Sequence, residues 1–332
     1  MMVDQLARRI LSGNSIVLTT HRQCDGDGLG AELALFFALR KLHKNVTIIN
    51  VDATPRKYRF LQPNRWIQYF NENPNLPDKM DLVLIFDTND ERLLEPLYSA
   101  LREKKPSFVF LDHHPILSQG PKPSNESLID VTAASTGELA YRLIQKLQVA
   151  IDYDIARSLY TSITFDTQLY RFIRNSPNSH LIAADLLRFN INPEEIHRHL
   201  FGNQTVKKMA FLAKILGEIE YFCDNRVAVL RLKDSELLSH ELESDESRDV
   251  VDMVMTVESL EAAALFREDA PREFKVSLRS KGQVEVLSLA ESIGGGGHLF
   301  AAGAYYKGDY EELKRHVVDG LSRSLPSLLT GS

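Results

Sequence analysis

Four short apolar runs, separated by helical stretches, limit what the first half of the chain can fold into. They occupy residues 15–20, 46–51, 82–86 and 108–111, with helices predicted over residues 29–42 and 91–103. Short continuous apolar runs alternating with helices indicate a parallel sheet that is covered on both faces. In such sheets, ligands bind at the carboxyl ends of the strands.

Aspartate and histidine residues follow three of these four runs, where the sequence therefore predicts a ligand site. A further aspartate lies in a segment that we predict to be helical. Carboxylates and imidazoles that converge without a cation would repel one another or lack partners, which favours a divalent metal among them. Mixed imidazole and carboxylate ligands favour Mn²⁺ or another first-row ion over an all-oxygen magnesium or calcium site. The residues are His21, Asp25, Asp27, Asp87, Asp112, His113, His114 and Asp166.

Each of these motifs alone also has a structural interpretation. Asp-Gly-Asp-Gly is commonly a turn, a His-His pair commonly packs in a core, and one aspartate after a strand commonly caps a helix. The EF-hand pattern fails, because Gln23 and Ala34 occupy positions that need an acid or amide and a glutamate. The joint occurrence at predicted strand ends is what favours a metal site.

Composition excludes several classes of protein. The 332 residues suit two domains, and 39 basic against 45 acidic residues give a net charge of −6. A mildly acidic chain is a poor candidate for binding long nucleic acid, which requires many lysine and arginine contacts to phosphates.

No apolar run approaches the ~20 residues of a membrane span, so we expect no membrane association. Two cysteines, Cys24 and Cys223, form no disulfide framework and suit a reducing cytoplasm.

The second half of the chain changes character twice. Residues 136–222 have a helical pattern, which includes a capping motif at Ser135–Glu138 and a proline-led helix start at Pro193. Residues 226–232 and 273–279 then alternate like strands. We therefore predict domains at residues 1–190 and 226–332, joined by a helical linker at residues 191–225.

Two groups of motifs together resemble a known family. The order His-x-x-x-Asp-Gly-Asp, Asp-Thr-Asn, Asp-His-His and a later aspartate is similar to the DHH phosphoesterase superfamily. Residues 294–303, with Gly-Gly-Gly-Gly-His, resemble the signature of the associated DHHA1 domain. The layout is most similar to the nano-RNase/pAp phosphatase branch, the NrnA-like proteins. The resemblance implies an α/β fold: a DHH domain with a mainly parallel sheet flanked by helices, a helical linker, and a smaller α/β DHHA1 domain.

The resemblance also implies roles for the site residues. His21 and Asp25 would bind a first metal ion, most simply Mn²⁺, with Mg²⁺ or Co²⁺ as alternatives. Asp112 would orient a histidine, and His114 would contact the scissile phosphate. The second metal ion would be bound by Asp27, His113 and Asp166. Asp87 would bridge both ions.

Substrate-binding residues are predicted in both domains. Four consecutive glycines allow close approach of an anion to backbone N–H groups, although a flexible loop is the alternative. Arginine and lysine at a strand end suit phosphate contacts. Arg171 and Phe172 could hold a phosphate and a base, with helix packing as the alternative. The predicted residues of the second domain are Arg279, Ser280, Lys281, Gly295, Gly296, Gly297 and His298.

The implied activity is Mn²⁺-dependent exonuclease and phosphatase chemistry, with water activated by two metal ions. The expected substrates are RNAs of 2–5 nucleotides, hydrolysed to mononucleotides, and pAp, hydrolysed to AMP. Hydrolysis of cyclic or linear signalling dinucleotides (pApA, pGpG) is the first alternative, and a non-catalytic nucleotide-binding relative is a remote one. A homodimer is compatible with the family.

Overall fold

A computed structural model describes residues 2–116, 123–202, 204–240, 242 and 248–326 of the chain. The chain divides into two compact units, Met1–Asn203 and Gln204–Ser332, and each unit has a six-stranded sheet. No helix within the described ranges is both long and apolar enough to cross a bilayer.

The first unit contains the parallel sheet that the apolar runs predict. Its strand order is β3-β2-β1-β4-β5-β6, and every neighbouring pair is parallel. The four predicted strands are confirmed within one residue at each end, whereas two short strands escaped prediction. The bounds are β1 Ser15–Thr20, β2 Asn45–Asn50, β3 Ile67–Tyr69, β4 Leu82–Phe86, β5 Ser107–Asp112 and β6 Leu128–Ile129.

Side chains of this sheet alternate between two apolar cores, one on each face. Ile16 and Leu18 of β1 belong to one core, and Val17 between them belongs to the other. This alternation explains why the strands read as continuous apolar runs. The α-helices of the unit are α1 Met2–Ser12, α2 Gly26–Lys41, α3 Leu97–Glu103, α4 Thr136–Lys146, α5 Tyr153–Asp166, α6 Asn178–Leu186 and α7 Pro193–Phe201.

Two helix predictions need correction. The predicted helix over residues 91–103 is a 3₁₀ turn, Glu91–Leu94, followed by α3, because Pro96 separates them and cannot donate a helical hydrogen bond. The helical pattern predicted up to residue 222 ends earlier, since residues 220–222 form a strand. The capping hydroxyl of Ser135 is confirmed: its Oγ accepts the N–H of Glu138 at 3.2 Å.

The second unit has a mixed sheet in the order β11-β12-β10-β9-β8-β7. All neighbours are antiparallel except β8 and β9, and the predicted strands correspond to β8 and β10. The strands are β7 Glu220–Phe222, β8 Val227–Lys233, β9 Ala262–Ala270, β10 Glu273–Ser280, β11 Gly296–His298 and β12 Ala301–Lys307. The helices are α8 Val206–Gly217, α9 Asp234–Ser239, α10 Arg248–Val254, α11 Leu287–Ser292 and α12 Tyr310–Ser324.

Helix α2 packs so tightly on the carboxyl ends of β1 and β4 that it needs a glycine there. A Cβ on Gly28 would lie 2.2 Å from Thr20 Oγ1 and 3.2 Å from Asp87 Cβ. Thr20 cannot easily move, because it is fully buried and its Oγ1 donates to the carbonyl oxygen of Phe86 at 3.0 Å. The close approach brings the start of α2 against two strand ends.

We predict that Gly28→Ala destabilises the first unit. Overpacking costs about 1–3 kcal/mol, and the better helix propensity of alanine offsets at most about 1 kcal/mol, so a net loss remains. Urea unfolding followed by circular dichroism measures the difference. Gly13→Ala is the matched control, because the nearest atom to its added Cβ lies 3.7 Å away. Equal stability of the two variants would contradict the packing argument.

Candidate metal centre

The loop after β1 becomes the N-terminus of α2 rather than an isolated turn. Asp25 is the N-cap, and its Oδ1 accepts the N–H groups of Asp27 at 3.1 Å and Gly28 at 3.4 Å. A carboxylate is stabilised at this end of a helix by the unpaired N–H groups. The helix start therefore holds two of the predicted ligands in fixed positions.

Asp87 follows β4 and has an unusual backbone conformation. Its φ angle of 60° lies in the left-handed region, which is unfavourable for a residue with a Cβ. Its N–H donates to the carbonyl oxygen of Leu111 at 3.0 Å, and Thr136 Oγ1 donates to its Oδ1 at 2.9 Å. The strand ends thus fix the direction of this buried carboxylate.

A first group of potential ligand atoms lies around His21. The Nε2 atom of His21 is 3.9 Å from Asp25 Oδ2 and 3.6 Å from Asp87 Oδ2. All ligand atoms of this group lie within 4.8 Å of one another.

A second group lies around His113, whose side chain is 1% exposed. Its Nε2 atom is 3.6 Å from Asp27 Oδ2, 3.5 Å from Asp87 Oδ1 and 3.5 Å from Asp166 Oδ2. Asp87 therefore takes part in both groups, with one carboxylate oxygen directed to each histidine.

These separations fit metal ligands. They exceed the 2.7–3.2 Å typical of N–H···O hydrogen bonds. Two ligand atoms that are each ~2.1 Å from one ion lie about 3–4 Å apart, depending on the angle between them. The donor set of imidazole nitrogen and carboxylate oxygen also suits a first-row divalent ion.

The carboxylates of the cluster raise one another's proton affinity. Burial raises the pKa of Asp27 well above its usual value, and the charges of Asp87 and Asp166 raise it further. Burial also raises the pKa of Asp166 to about 6. The pKa of Asp87 is well below normal, because contacts with His113 and His21 outweigh the effect of burial.

The pKa of the His113 imidazole is shifted in the direction opposite to the effect of burial. Burial alone would lower its pKa, but the carboxylates of Asp166 and Asp87 raise the pKa to about 9. Without a metal ion, protons thus supply the positive charge that this buried cluster needs. A divalent ion would replace them, since ligating histidines and carboxylates must be deprotonated.

Three donors that hold Asp27 were not predicted. The backbone N–H groups of Thr136 and Gly137 donate to its two oxygens at 2.8 and 3.1 Å, and Ser162 Oγ donates a short hydrogen bond. Thr136 and Gly137 begin α4, so a helix N-terminus points at this carboxylate. The capping motif at residues 135–138 predicted where the helix starts, but not that its N-terminus would contact Asp27.

Asp112 orients His114 rather than the neighbouring His113. Its Oδ1 is 2.8 Å from His114 Nδ1, and Asn89 Nδ2 donates to its Oδ2 at 2.6 Å. His113 Nδ1 instead lies 3.3 Å from the carbonyl oxygen of Ala133. His114 is one-third exposed, and burial alone would lower its pKa, but Asp112 raises it. Asn89, in the Asp-Thr-Asn motif, is a supporting residue that sequence reasoning missed.

The predicted basic strand end of the second unit makes local contacts. Lys281 Nζ donates to the carbonyl oxygens of Val257 and Glu258 at 2.5 and 3.0 Å. Ser280 Oγ accepts two N–H groups from the turn that follows it. Arg279, which is partly buried, donates to the preceding carbonyl oxygen at 3.0 Å. Ser280 and Lys281 therefore have structural contacts of their own.

Gly296 and Gly297 of the glycine-rich segment lie in the edge strand β11, and Gly295 directly precedes it. Gly296 pairs with Gly303 of β12. A Cβ on Gly295 would lie 2.1 Å from the carbonyl oxygen of Gly303, and Gly297 has φ 138°. The glycines thus permit close contact between strands, and the anion contact that the sequence predicted stays a prediction. His298 ends the strand and is partly exposed.

Arg171 and Phe172 lie in an exposed turn after α5, close in sequence to Asp166. The guanidinium carbon of Arg171 lies 5.5 Å from the ring centre of Phe172, whose side chain is 55% exposed. The helix-packing alternative is therefore wrong for this pair. The three preceding residues, 168–170, all have positive φ angles, which turn the chain sharply.

Comparison with known proteins identifies the class to which this fold and this centre belong. The model of the DHH family, N-terminal domain, matches residues 15–163, and the model of the DHHA1 domain matches residues 224–322. The chain belongs to the DHH family and is a metal-dependent phosphoesterase with DHH and DHHA1 domains in that order.

Relatives of similar length support this assignment. The chain is 27% identical over 311 residues to the bifunctional oligoribonuclease and PAP phosphatase NrnA of Thermus thermophilus, covering 93% of this chain and 90% of that protein. It is 24% identical to NrnA of Mycoplasma genitalium, with coverages of 91% and 92%. An exopolyphosphatase-related protein of Bacteroides fragilis shares the fold, with a TM-score of 0.85, 22% identity, and coverages of 97% and 96%.

We predict that binding of Mn²⁺ releases protons and strengthens as pH rises. His113 and Asp166, with pKa values of about 9 and about 6, must lose protons to become ligands. Titration calorimetry between about pH 6 and pH 8.5, in buffers of different ionisation enthalpy, measures both effects. An affinity independent of pH, with no proton release, would contradict the ligand assignment.

The stability of the metal-free protein should fall as pH rises, whereas its affinity for Mn²⁺ should increase. The raised pKa of His113 stabilises the folded state fully below its unfolded value of 6.5, and this stabilisation is lost as pH rises through about 9. We therefore expect the unfolding midpoint in EDTA to fall over this range, while added Mn²⁺ restores it. Thermal unfolding followed by circular dichroism checks both trends.

Proposed function

We propose that this chain is a Mn²⁺-dependent hydrolase of RNAs of 2–5 nucleotides, releasing mononucleotides, and of pAp, releasing AMP. The observation that carries the proposal is the carboxylate of Asp87, which is shared by the two histidine-centred groups. The names of the relatives, oligoribonuclease and PAP phosphatase, support the substrate class. The two cysteines and the short RNA substrates suit an enzyme of the cytoplasm.

The proposed ligands fall into two sets that share one residue. Two bound divalent ions would lower the pKa of water and stabilise charge on the attacking and leaving oxygens. Thr136 and Ser162 hold the carboxylates of the cluster by hydrogen bonds, which keeps them in position during turnover. The ligands are His21 and Asp25 for one ion, Asp27, His113 and Asp166 for the other, and Asp87 for both.

His114 is proposed to contact the scissile phosphate. Its Nδ1 is engaged by Asp112, so the proposed donor to a phosphate oxygen is its Nε2. The hydrogen bond from Asn89 keeps the Asp112 carboxylate in place. Asp112 and Asn89 are therefore positioning residues, and their loss would affect turnover through the orientation of His114.

The second unit is proposed to contribute to substrate binding. We assign residues 1–190 to catalysis, 191–225 to a linker and 226–332 to substrate binding, with Arg279 and His298 contacting the non-scissile phosphate. Arg171 of the first unit is a further proposed phosphate contact. The net charge of −6 supports short rather than long nucleic acids, because few cations are available to neutralise many phosphates.

We predict that turnover with Mn²⁺ is highest for RNAs of 2–5 nucleotides and falls at least about tenfold by 20 nucleotides. A series of 5′-labelled RNAs, with pAp, pGpG and cyclic dinucleotides alongside, measures this. Parallel assays with Mg²⁺, Co²⁺ and EDTA test the metal. Turnover that grows with length would contradict the proposal, and hydrolysis of cyclic dinucleotides alone would favour a signalling role instead.

We predict that Asp87→Asn lowers kcat at least about a hundredfold and abolishes most of the thermal stabilisation by Mn²⁺, because the shared ligand is lost. Asp78→Asn is the matched control, since it makes the same chemical change at an exposed residue of the same unit. Its kcat and its response to Mn²⁺ should match the unmutated chain. Wild-type turnover in Asp87→Asn at saturating Mn²⁺ would refute the shared-ligand assignment.

A further inference from the structure

The peptide unit between Arg22 and Gln23 lies in the loop after β1, beside the first group of ligand atoms, and both of its polar atoms are engaged. Its carbonyl oxygen, on Arg22, lies 2.9 Å from Nδ1 of His21. Its N–H, on Gln23, donates to Oδ2 of Asp52 at 3.1 Å. We call this unit the loop peptide. Because a peptide unit is planar and rigid, the two contacts together fix its orientation.

The contact with the loop peptide determines which nitrogen of His21 is available to a metal ion. A carbonyl oxygen can only accept, so Nδ1 carries the proton of the neutral imidazole and Nε2 presents a lone pair. Nε2 is the atom that lies near Asp25 and Asp87. A histidine that binds a metal ion through one nitrogen usually donates the N–H of the other to a carbonyl or carboxylate oxygen. The loop peptide supplies that acceptor.

Asp52, which holds the N–H of the loop peptide, is itself anchored at the end of the neighbouring strand. It lies two residues after β2 and is partly buried. Its Oδ1 accepts from Nδ2 of Asn71 at 2.8 Å, and the backbone N–H of Asn71 donates to the carbonyl oxygen of Val51 at 3.1 Å. Both carboxylate oxygens of Asp52 are thus engaged by donors, which suits a supporting residue rather than a metal ligand.

The loop around His21 depends on such contacts. Gln23 has a φ angle of 53°, a left-handed conformation that is uncommon for a residue with a Cβ. On the other side of His21, the N–H of Thr20 donates to Oδ1 of Asn50 at 3.2 Å, and Nδ2 of Asn50 donates to the buried carboxyl group of Glu32 at 2.9 Å. The end of β2 therefore holds the backbone on both sides of His21.

We propose that Asp52 is a positioning residue for the first metal ion: it orients the loop peptide, and the loop peptide orients the imidazole of His21. This inference rests on the proposed function, because it takes His21 as a ligand, and it adds a residue that acts through a ligand rather than as one. Loss of a supporting contact of this kind typically lowers metal affinity about 10- to 100-fold.

Titration of the full chain with Mn²⁺ in a calorimeter tests the proposal. Asp52→Ala should weaken binding of one ion about 10- to 100-fold and leave the other within about twofold. His21→Ala identifies the ion concerned, since it removes the ligand itself. The double variant should bind that ion no more weakly than His21→Ala alone, because Asp52 acts through His21. Asp52→Asn should restore most of the affinity, because its amide oxygen can still accept the N–H of Gln23.

Asp81→Ala is the matched control, because Asp81 makes the same kind of contact at the opposite end of β1. Its Oδ2 accepts the N–H groups of Asn14 at 2.8 Å and Ser15 at 3.0 Å. This variant also removes a carboxylate that holds backbone N–H groups, but both Mn²⁺ affinities should stay unchanged. Equal weakening of Mn²⁺ binding in Asp81→Ala and Asp52→Ala, or equal weakening of both ions in Asp52→Ala, would overturn the proposal and favour a general loss of stability.

A second measurement needs no metal. In EDTA, Asp52→Ala should speed hydrogen exchange of the Gln23 amide at least about fivefold, as followed by nuclear magnetic resonance, because its acceptor is lost. Unchanged exchange would overturn the proposal.

The outcomes also separate this inference from the proposed function. Two bound ions with full affinity in Asp52→Ala would refute the role of Asp52 alone. Selective weakening of one ion in Asp52→Ala, in a chain that hydrolyses neither short RNAs nor pAp, would refute the proposed function alone.

Discussion

The carboxylate of Asp87 is the constraint on which the arrangement of the site depends. One of its oxygens faces His21 and the other faces His113, so a single side chain couples the two ligand groups. Its direction is set by backbone pairing with the end of β5 and by the hydroxyl of Thr136. The left-handed backbone at this residue is unfavourable by about 1–3 kcal/mol, and the surrounding contacts maintain it.

Burying several carboxylates together opposes folding unless positive charge or hydrogen bonds compensate. The first unit supplies hydrogen bonds through two helix N-termini, one formed by Asp25 at the start of α2 and one directed at Asp27 by α4. The raised pKa values of Asp27 and His113 show that these bonds alone do not neutralise the cluster. The remaining imbalance is the physical reason that divalent cations belong at this end of the sheet.

The parts of the fold that were predictable are those with a local cause. Buried parallel strands read as apolar runs because both faces are covered, so β1, β2, β4 and β5 could be recognised. Strand β9 could not, because its second half contains Arg267, Glu268 and Asp269, which interrupt the apolar pattern. The short strands β3 and β6 leave too few residues for any pattern to be visible.

The residues of the candidate site can also be divided into those that local sequence predicts and those that it does not. All its proposed ligands except Asp166, which ends α5, were visible because they come soon after strands. Ser162 and Asn89 were not, because they contact Asp27 and Asp112 only through tertiary packing. The glycines at the start of β11 were recognised from the sequence, but the close packing against β12 at Gly295 and Gly297 is a tertiary contact that the sequence did not indicate. Local sequence thus identified the chemical groups, and three-dimensional packing determined which of them support one another.

The most direct test of the shared carboxylate is electron paramagnetic resonance of the Mn²⁺-loaded chain. Two ions held by one carboxylate would lie about 3.5–4 Å apart and be magnetically coupled. The account predicts a coupled spectrum from two bound Mn²⁺ per chain, replaced by an isolated-ion spectrum in Asp87→Asn. An isolated-ion spectrum from the unmutated chain at saturating Mn²⁺ would contradict it.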